Sequence, residues 1–242
     1  MIGIVDWRIA EIERLGVDLQ CGVFAEAEDI LARNPDLVII ATGGVPNTDW
    51  VPGGDALTSP WDVIQGIVAP AADVLVIDGT GRHVALSAAD VAHAAGARVS
   101  LVTIDETPAM EQAYAERVIW RKWAAEAKIE ITTEHALVGV RRDGNRLVAR
   151  LRSELTGKQI ETGAAQVIFD YGTVPADALF HELAPLARNG GVTDLGAMVA
   201  GITQPLASRD TPGFELHRIG DAVASRNVNA AVTDALRLCQ NC

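Results

Sequence analysis

Cysteine is scarce in this 242-residue chain, and Cys21, Cys239 and Cys242 are too few and too unevenly spaced for a disulfide framework or for the four ligands of a zinc ion or iron–sulfur cluster. Positive charge is short as well. Twenty Lys and Arg against 32 Asp and Glu leave a net charge of −12, which argues against a protein that binds nucleic acid by neutralising phosphates. Long apolar runs are missing: none reaches the roughly 18 residues of a membrane span. Met1 is not followed by a charged segment, an apolar segment and a small-residue cleavage site, so the chain is expected to be soluble and cytoplasmic. A Gly-x-Ser-x-Gly elbow is also missing, so Asp221 with His217 or His181 makes a poor hydrolase triad. What is present, 49% hydrophobic and 21% charged residues, excludes a disordered chain and fits one large or two small folded domains.

The order of apolar patterns is that of an α/β protein. Ile4, Val5, Ile9, Ile12 and Leu15 form a helical stripe that Gly16 stops. Val17–Cys21 is a short strand candidate, Ala25–Ala32 a second helix, and Leu37–Ile40 an apolar run suited to a parallel strand covered on both faces. Residues 43–70 are rich in Gly, Pro, Asp and Thr, with one helical piece near Trp61–Ile67, and are expected to cross between two bodies. Then Val74–Ile77, Arg82–Ala95, Val99–Ile104, Glu111–Ala127 and Ile129–Thr132 alternate as a βαβαβ unit. Ala136–Arg142 and Arg146–Arg152 around Asp143-Gly144-Asn145, with a third piece after Lys158, predict an antiparallel meander with one wet face. Val167–Phe169 and Phe214–Ile219 return as strands, and a last helix covers Asn229–Leu238.

An internal echo runs through this order. Residues 38–46, Val-Ile-Ile-Ala-Thr-Gly-Gly-Val-Pro, and residues 167–175, Val-Ile-Phe-Asp-Tyr-Gly-Thr-Val-Pro, share an apolar strand, a Gly and a Val-Pro pair at the same offsets. Two nucleotide-binding-like halves would explain it.

Several residues carry candidate chemistry. Gly79-Thr80-Gly81, between a strand and a helix, is the arrangement in which glycines let backbone amides approach a pyrophosphate. The third position of that fingerprint is Val84 rather than Gly or Ala, which bears on close packing of helix against strand. Arg82 and His83, at the helix start, are each placed to meet a phosphate, with Arg82 preferred. Asp105, with Glu106 after it, ends the next strand, where a carboxylate accepts ribose hydroxyls and repels a 2′-phosphate, favouring NADH over NADPH. Thr42, Gly43 and Gly44 close an apolar strand at the edge where open α/β sheets bind ligands. Gly220-Asp221 precede the last helix, with Asn227 or Asn229 as its cap; such an aspartate takes a sugar or ribityl hydroxyl while the helix start faces a phosphate. Trp120 and Trp123, at helical spacing, read as packing residues. Cys239 and Cys242 have redox spacing but trail off a terminal helix.

On Ile4–Arg8, Val38–Pro46, Val74–Ile104, and the stretches 218–222 and 235–237, the chain resembles the carboxyl-terminal portion of the flavin-dependent family of trimethylamine dehydrogenase, histamine dehydrogenase, dienoyl-CoA reductase and related N-demethylases, the NADH:flavin oxidoreductases similar to old yellow enzyme. The resemblance implies two Rossmann-like domains of the glutathione-reductase kind. Residues 69–175 would form an NAD(P)-binding-like domain, with the β-meander, inserted into an N-terminally truncated FAD/ADP-binding-like domain of residues 1–68 and 176–242. Thr42, Gly43, Gly44, Gly220 and Asp221 match the first domain's later nucleotide contacts, and Gly79 and Gly81 the second domain's phosphate turn. Family members carry upstream a TIM barrel with FMN, a 4Fe–4S centre and the first phosphate-gripping turn, none of which occurs in this sequence.

The resemblance therefore implies a dinucleotide-binding, electron-handling portion of an oxidoreductase. FAD or ADP would bind with reduced affinity, NADH would be a second ligand, no catalytic residue is assigned, and association with a barrel domain or a second copy is expected. Two other readings stand beside it: a vestigial module whose dinucleotide sites are empty, and a thiol-disulfide reductase using Cys239 and Cys242.

Overall fold

The computed structural model describes residues 2–49, 51–205 and 213–240. Along the chain, α1 (Ile2–Arg14) and α2 (Ala27–Ala32) precede β1 (Leu37–Ile40) and β2 (Gly44–Pro46). Helix α3 (Pro60–Ile64) follows, started by Ser59, whose hydroxyl accepts from Trp61 N at 3.2 Å, and by Pro60 at its first position. Next come β3 (Asp73–Asp78), α4 (His83–Ala94), β4 (Arg98–Thr103), α5 (Tyr114–Glu126) and β5 (Glu130–Thr132). Strands β6 (His135–Asp143), β7 (Arg146–Ser153) and β8 (Gln159–Ala164) lead to β9 (Gln166–Asp170) and β10 (Thr173–Pro175). The chain closes with α6 (Ala178–Leu183), α7 (Leu195–Ala200), β11 (Glu215–Arg218) and α8 (Val228–Cys239).

These elements fall into two compact units: Met1–Ile40, Ala178–Arg218 and Gln240–Cys242 in one, Ala41–Asp177 and Ile219–Cys239 in the other. In the first unit β1 pairs parallel with β11, Leu37 opposite Glu215 through Ile40 opposite Arg218, as its continuous apolar run predicts. The Asn189 side chain does the work of a further strand by bonding both Leu216 N, at 3.0 Å, and Leu216 O, at 2.9 Å. Residues 17–21, expected as a strand, form none. They are exposed, and with no sheet edge beside them their backbone gains nothing from extension.

In the second unit a parallel sheet ordered β5-β4-β3-β9 carries helices on one face and the meander β6-β7-β8 on the other. Val74 and Val76 of β3 face Ala85, Ala88, Ala89 and Ala92 of α4; small side chains bring that helix close, and Trp120 and Trp123 pack against the same core. Close approach is supplied by Ala85, fully buried, one residue past the Val84 at issue in the fingerprint. On the opposite face Leu75, Ile77 and Phe169 meet Leu137, Ala149 and Leu151 of the meander. The predicted hairpin turns through Gly144 and Asn145, with Gly144 at φ +57°.

The echo has a structural counterpart. Strands β2 and β10, its two Val-Pro tips, pair antiparallel with Val45 opposite Val174. Gly43 and Gly172 stand at φ +75° and +74°. Ala176 N donates to Gly43 O at 3.0 Å, and Asn47 N to Gly172 O at 3.1 Å, so the same bond is made twice about a local two-fold.

Candidate functional site

Both strand-to-helix turns singled out in the sequence lie in the second unit, and they differ in how their amides are used. At the first, β3 ends on Asp78, which is fully buried. Its Oδ1 accepts from Gly81 N at 2.8 Å and Thr80 N at 3.1 Å. The Thr80 hydroxyl donates to Asp170 Oδ2 at 3.0 Å, while Arg82 N donates to the Thr80 hydroxyl at 3.2 Å. Gly79 N is held by Asp170 O at 2.8 Å. Burial pushes the Asp78 carboxyl up to about 6, with Asp170 adding like-charge repulsion against the amide bonds that pull the other way.

The loop after β4 folds over this turn. Glu111 N donates to Gly81 O at 2.9 Å, and a Cβ on Gly81 would stand 2.8 Å from Asp105 Oδ2. Gly81, at φ +64°, is thus fixed as glycine by backbone and by space. Gly79 is glycine because a Cβ there would fall inside the ring edge of Tyr171. The Asp105 carboxyl is raised from its ordinary value by burial first, then by Glu111 and Glu106.

At the second turn Gly220, at φ +62°, gives its N–H to Asp234 Oδ2 at 3.1 Å, and Arg226 pairs with that same carboxylate. Arg226 N donates to Asp221 Oδ1 at 3.1 Å, and among the described residues Asp221 Oδ2 has no hydrogen bond. Helix α8 is capped by Asn227, whose Oδ1 accepts from Ala230 N at 2.9 Å. The amides of Val228 and Asn229, at the helix start, have no helical acceptor. Arg82 reaches across from the start of α4, its Nη1 lying 3.5 Å from Ser225 Oγ and 3.4 Å from Arg226 O.

Between these elements lies a cavity of about 1160 Å³. Of the residues singled out in the sequence, Gly43, Thr80, Arg82, Gly220 and Asp221 line it, whereas Thr42, Gly44, Gly79, Gly81 and Asp105 do not. The Thr42 hydroxyl is spent on Ala176 O at 2.5 Å, and Gly44 serves strand pairing, where a Cβ would meet Val174 O at 2.8 Å. His83, Asn227 and Asn229, named above at the two helix starts, line it too, while Trp61, Asp170, Gly172 and Arg226 line the cavity and were not anticipated as site residues. For Gly172 the echo held the signal, since it aligns with Gly43. Cys239 is exposed, and Cys242, its proposed redox partner, lies outside the described residues.

Among the described residues no helix is long and apolar enough to cross a membrane. No protein-family model matches the chain. It is 41% identical over 239 residues, 98% of its length, to "Probable N-methylproline demethylase" of Rhizobium meliloti (strain 1021). It is 38% identical over 241 residues, 99% of its length, to "Multifunctional alkene reductase/demethylase OYE" of Caballeronia cordobensis. The chain spans about a third of these relatives, 35% and 36% of their lengths. Among solved structures it is similar to the 6-hydroxypseudooxynicotine amine oxidase of Pseudomonas geniculata N1, with a TM-score of 0.77 at 23% identity over 96% of this chain and 33% of that one. Thioredoxin reductase of Lactococcus lactis has a related fold, with a TM-score of 0.57 at 18% identity over 84% of this chain and 64% of that one. The relatives are oxidoreductases, and none of their names supports the alternative of an empty structural module. The chain belongs to the family of trimethylamine dehydrogenase, histamine dehydrogenase and dienoyl-CoA reductase, the NADH:flavin oxidoreductases similar to old yellow enzyme.

Proposed function

We propose that this chain is the dinucleotide-binding, electron-handling portion of a flavin-dependent oxidoreductase of the amine dehydrogenase, N-demethylase or enoyl reductase type, and that FAD or ADP occupies the cavity beside Gly220-Asp221. The observation that carries the reading is the convergence there of three features: the Gly43 strand end, an aspartate with an unbonded oxygen, and the open start of α8. The residues fit a diphosphate-bearing ligand. The first amides of α8 with Arg82 and Arg226 suit the phosphates, Asp221 Oδ2 suits a sugar or ribityl hydroxyl, and the absence of a Cβ at Gly43 leaves room. Bound there, a flavin dinucleotide supplies electron-transfer chemistry. This chain's own residues hold and orient it.

In this reading residues 69–175 are a pyridine-nucleotide-type domain inserted into a discontinuous FAD/ADP-type domain of residues 1–68 and 176–242. Substrate chemistry belongs to a flavin barrel with which the chain, or a second copy of it, associates in the cytoplasm. Calorimetric titration of the full chain with ADP and with FAD tests the site. Saturable binding of either is expected, and no heat with both at millimolar concentration would remove the proposal.

A further inference from the structure

The Gly79-Thr80-Gly81 turn has the glycine spacing of a dinucleotide phosphate loop, yet its amides are not on offer. A loop of that kind binds a diphosphate because consecutive backbone N–H groups converge on an empty position and because local charge is positive. Here Asp78 Oδ1 sits where those N–H groups converge, 2.8 Å from Gly81 N and 3.1 Å from Thr80 N. The next amide, of Arg82, is taken by the Thr80 hydroxyl at 3.2 Å. From outside, the loop carrying Glu111 closes on the turn through Gly81 O, and Gly81 is buried.

Charge acts in the same direction. Asp78 and Asp170 share the Thr80 hydroxyl as a neighbour, and Asp105 stands against Gly81 with Glu111 beside it. A diphosphate brought to this position would meet carboxylates of its own sign of charge rather than free N–H groups.

We propose that this turn is an anion seat filled from within: the Asp78 carboxylate takes the place of a dinucleotide diphosphate, so that no pyridine dinucleotide is bound at Gly79–Gly81. One carboxylate oxygen serves in the place of one phosphate oxygen: Oδ1 accepts from both amides, while Oδ2 is buried without a hydrogen-bond partner among the described residues. The seat then acts as a structural tie between β3 and α4. The proposal does not rest on the FAD or ADP reading, which is carried by Gly43, Asp221 and the start of α8.

The test follows backbone amide resonances of the uniformly ¹⁵N-labelled full chain during titration with inorganic pyrophosphate and, separately, with NADH. Gly81 is the reporter because it does not line the cavity. Its resonance is expected to stay in place up to millimolar ligand, while the Asp78→Ala chain, with the seat vacated, is expected to show a saturable Gly81 shift with pyrophosphate. A saturable Gly81 shift in the unaltered chain overturns the proposal, as does a folded Asp78→Ala chain whose Gly81 amide ignores pyrophosphate. Should Asp78→Ala not fold, Asp78→Ser, whose short hydroxyl leaves the seat largely open, is judged by the same two outcomes. ADP titrated in parallel is read at the Asn229 amide, so failure of the cavity reading and failure of this one leave different marks.

Discussion

The turns at Gly79–Gly81 and Gly220–Asp221 have much in common: each leads toward a helix, each contains a glycine at positive φ, and each has an aspartate next to a glycine. They differ in where the carboxylate goes. Asp78 precedes its glycine, lies at the buried end of β3 and folds back onto the amides that follow. Asp221 follows its glycine, lines the cavity, and uses one oxygen to fix Arg226 N while the other has no hydrogen bond among the described residues. Glycine spacing thus marks where the backbone bends tightly, and in the two proposals above the neighbouring carboxylate decides whether the bend is a tie or a site.

The largest expected effect tests the tie. Asp78 holds its proton up to about pH 6 in the folded chain against an ordinary value of 3.8. Between those limits the folded chain binds more protons than the unfolded one, so the stability contributed by Asp78 is fully present below about pH 4 and is lost as pH rises through 6. A shift of that size is worth on the order of 3 kcal/mol. Urea unfolding of the unaltered chain and of Asp78→Asn should show their stability difference moving against the unaltered chain by that amount from pH 4 to pH 7. Parallel pH profiles would mean that the carboxylate is not confined as described.

A second effect separates the glycines. In Gly79→Ala the new methyl meets the Tyr171 ring, which is itself stacked on Phe169 with centroids 5.5 Å apart and has little room to retreat. A loss of about 1–3 kcal/mol is expected from overpacking, read as a lowered unfolding midpoint, with ADP binding retained. If Gly79→Ala left stability intact and abolished ADP binding, the roles assigned to the two turns would have to be exchanged.

The third effect lies at the open turn. Asp221→Asn keeps an acceptor for Arg226 N and removes the charge that a ligand hydroxyl would meet. Affinity for ADP or FAD should fall about tenfold, near 1.4 kcal/mol, with the unfolding midpoint unchanged. An unchanged dissociation constant would place the ligand elsewhere in the cavity.

Much of the scaffold was legible because its signals are local. Alternation in β7, continuous apolar runs in β3 and β9, and the alanine stripe of α4 each follow from a period of two or of 3.6 residues. Residues 17–21 show the limit, since a plausible strand needs a partner edge that no local pattern reports. The echo was read as two nucleotide-binding-like halves and not as a pairing of β2 with β10, because whether repeated segments meet depends on how distant parts of the chain pack. Of the cavity lining, Gly43, Gly220 and Asp221 were named from the sequence, whereas Gly44, Gly79 and Gly81 lie outside it and the bond of Asp78 to its own turn was not foreseen. The direction of that carboxylate is set by burial beneath the loop carrying Glu111 and by Asp170, which come from two other strand ends.

The smallest effect asks whether the start of α8 serves the ligand as well as the helix. Asn227 is exposed and its Oδ1 satisfies Ala230 N, so Asn227→Ala should cost about 1 kcal/mol through loss of the cap. Asn227→Asp keeps the acceptor and adds a negative charge at the positive end of the helix, which favours the fold by about 0.3–1 kcal/mol. That charge would also stand on the cavity, which Asn227 lines and where the proposed function puts the phosphates of ADP. The aspartate variant should therefore unfold at a slightly higher temperature and bind ADP more weakly, splitting two properties that the alanine variant lowers together. If both variants bound ADP in proportion to their stability, α8 would contribute only its fold, and the open turn would differ from the closed one in shape but not in use.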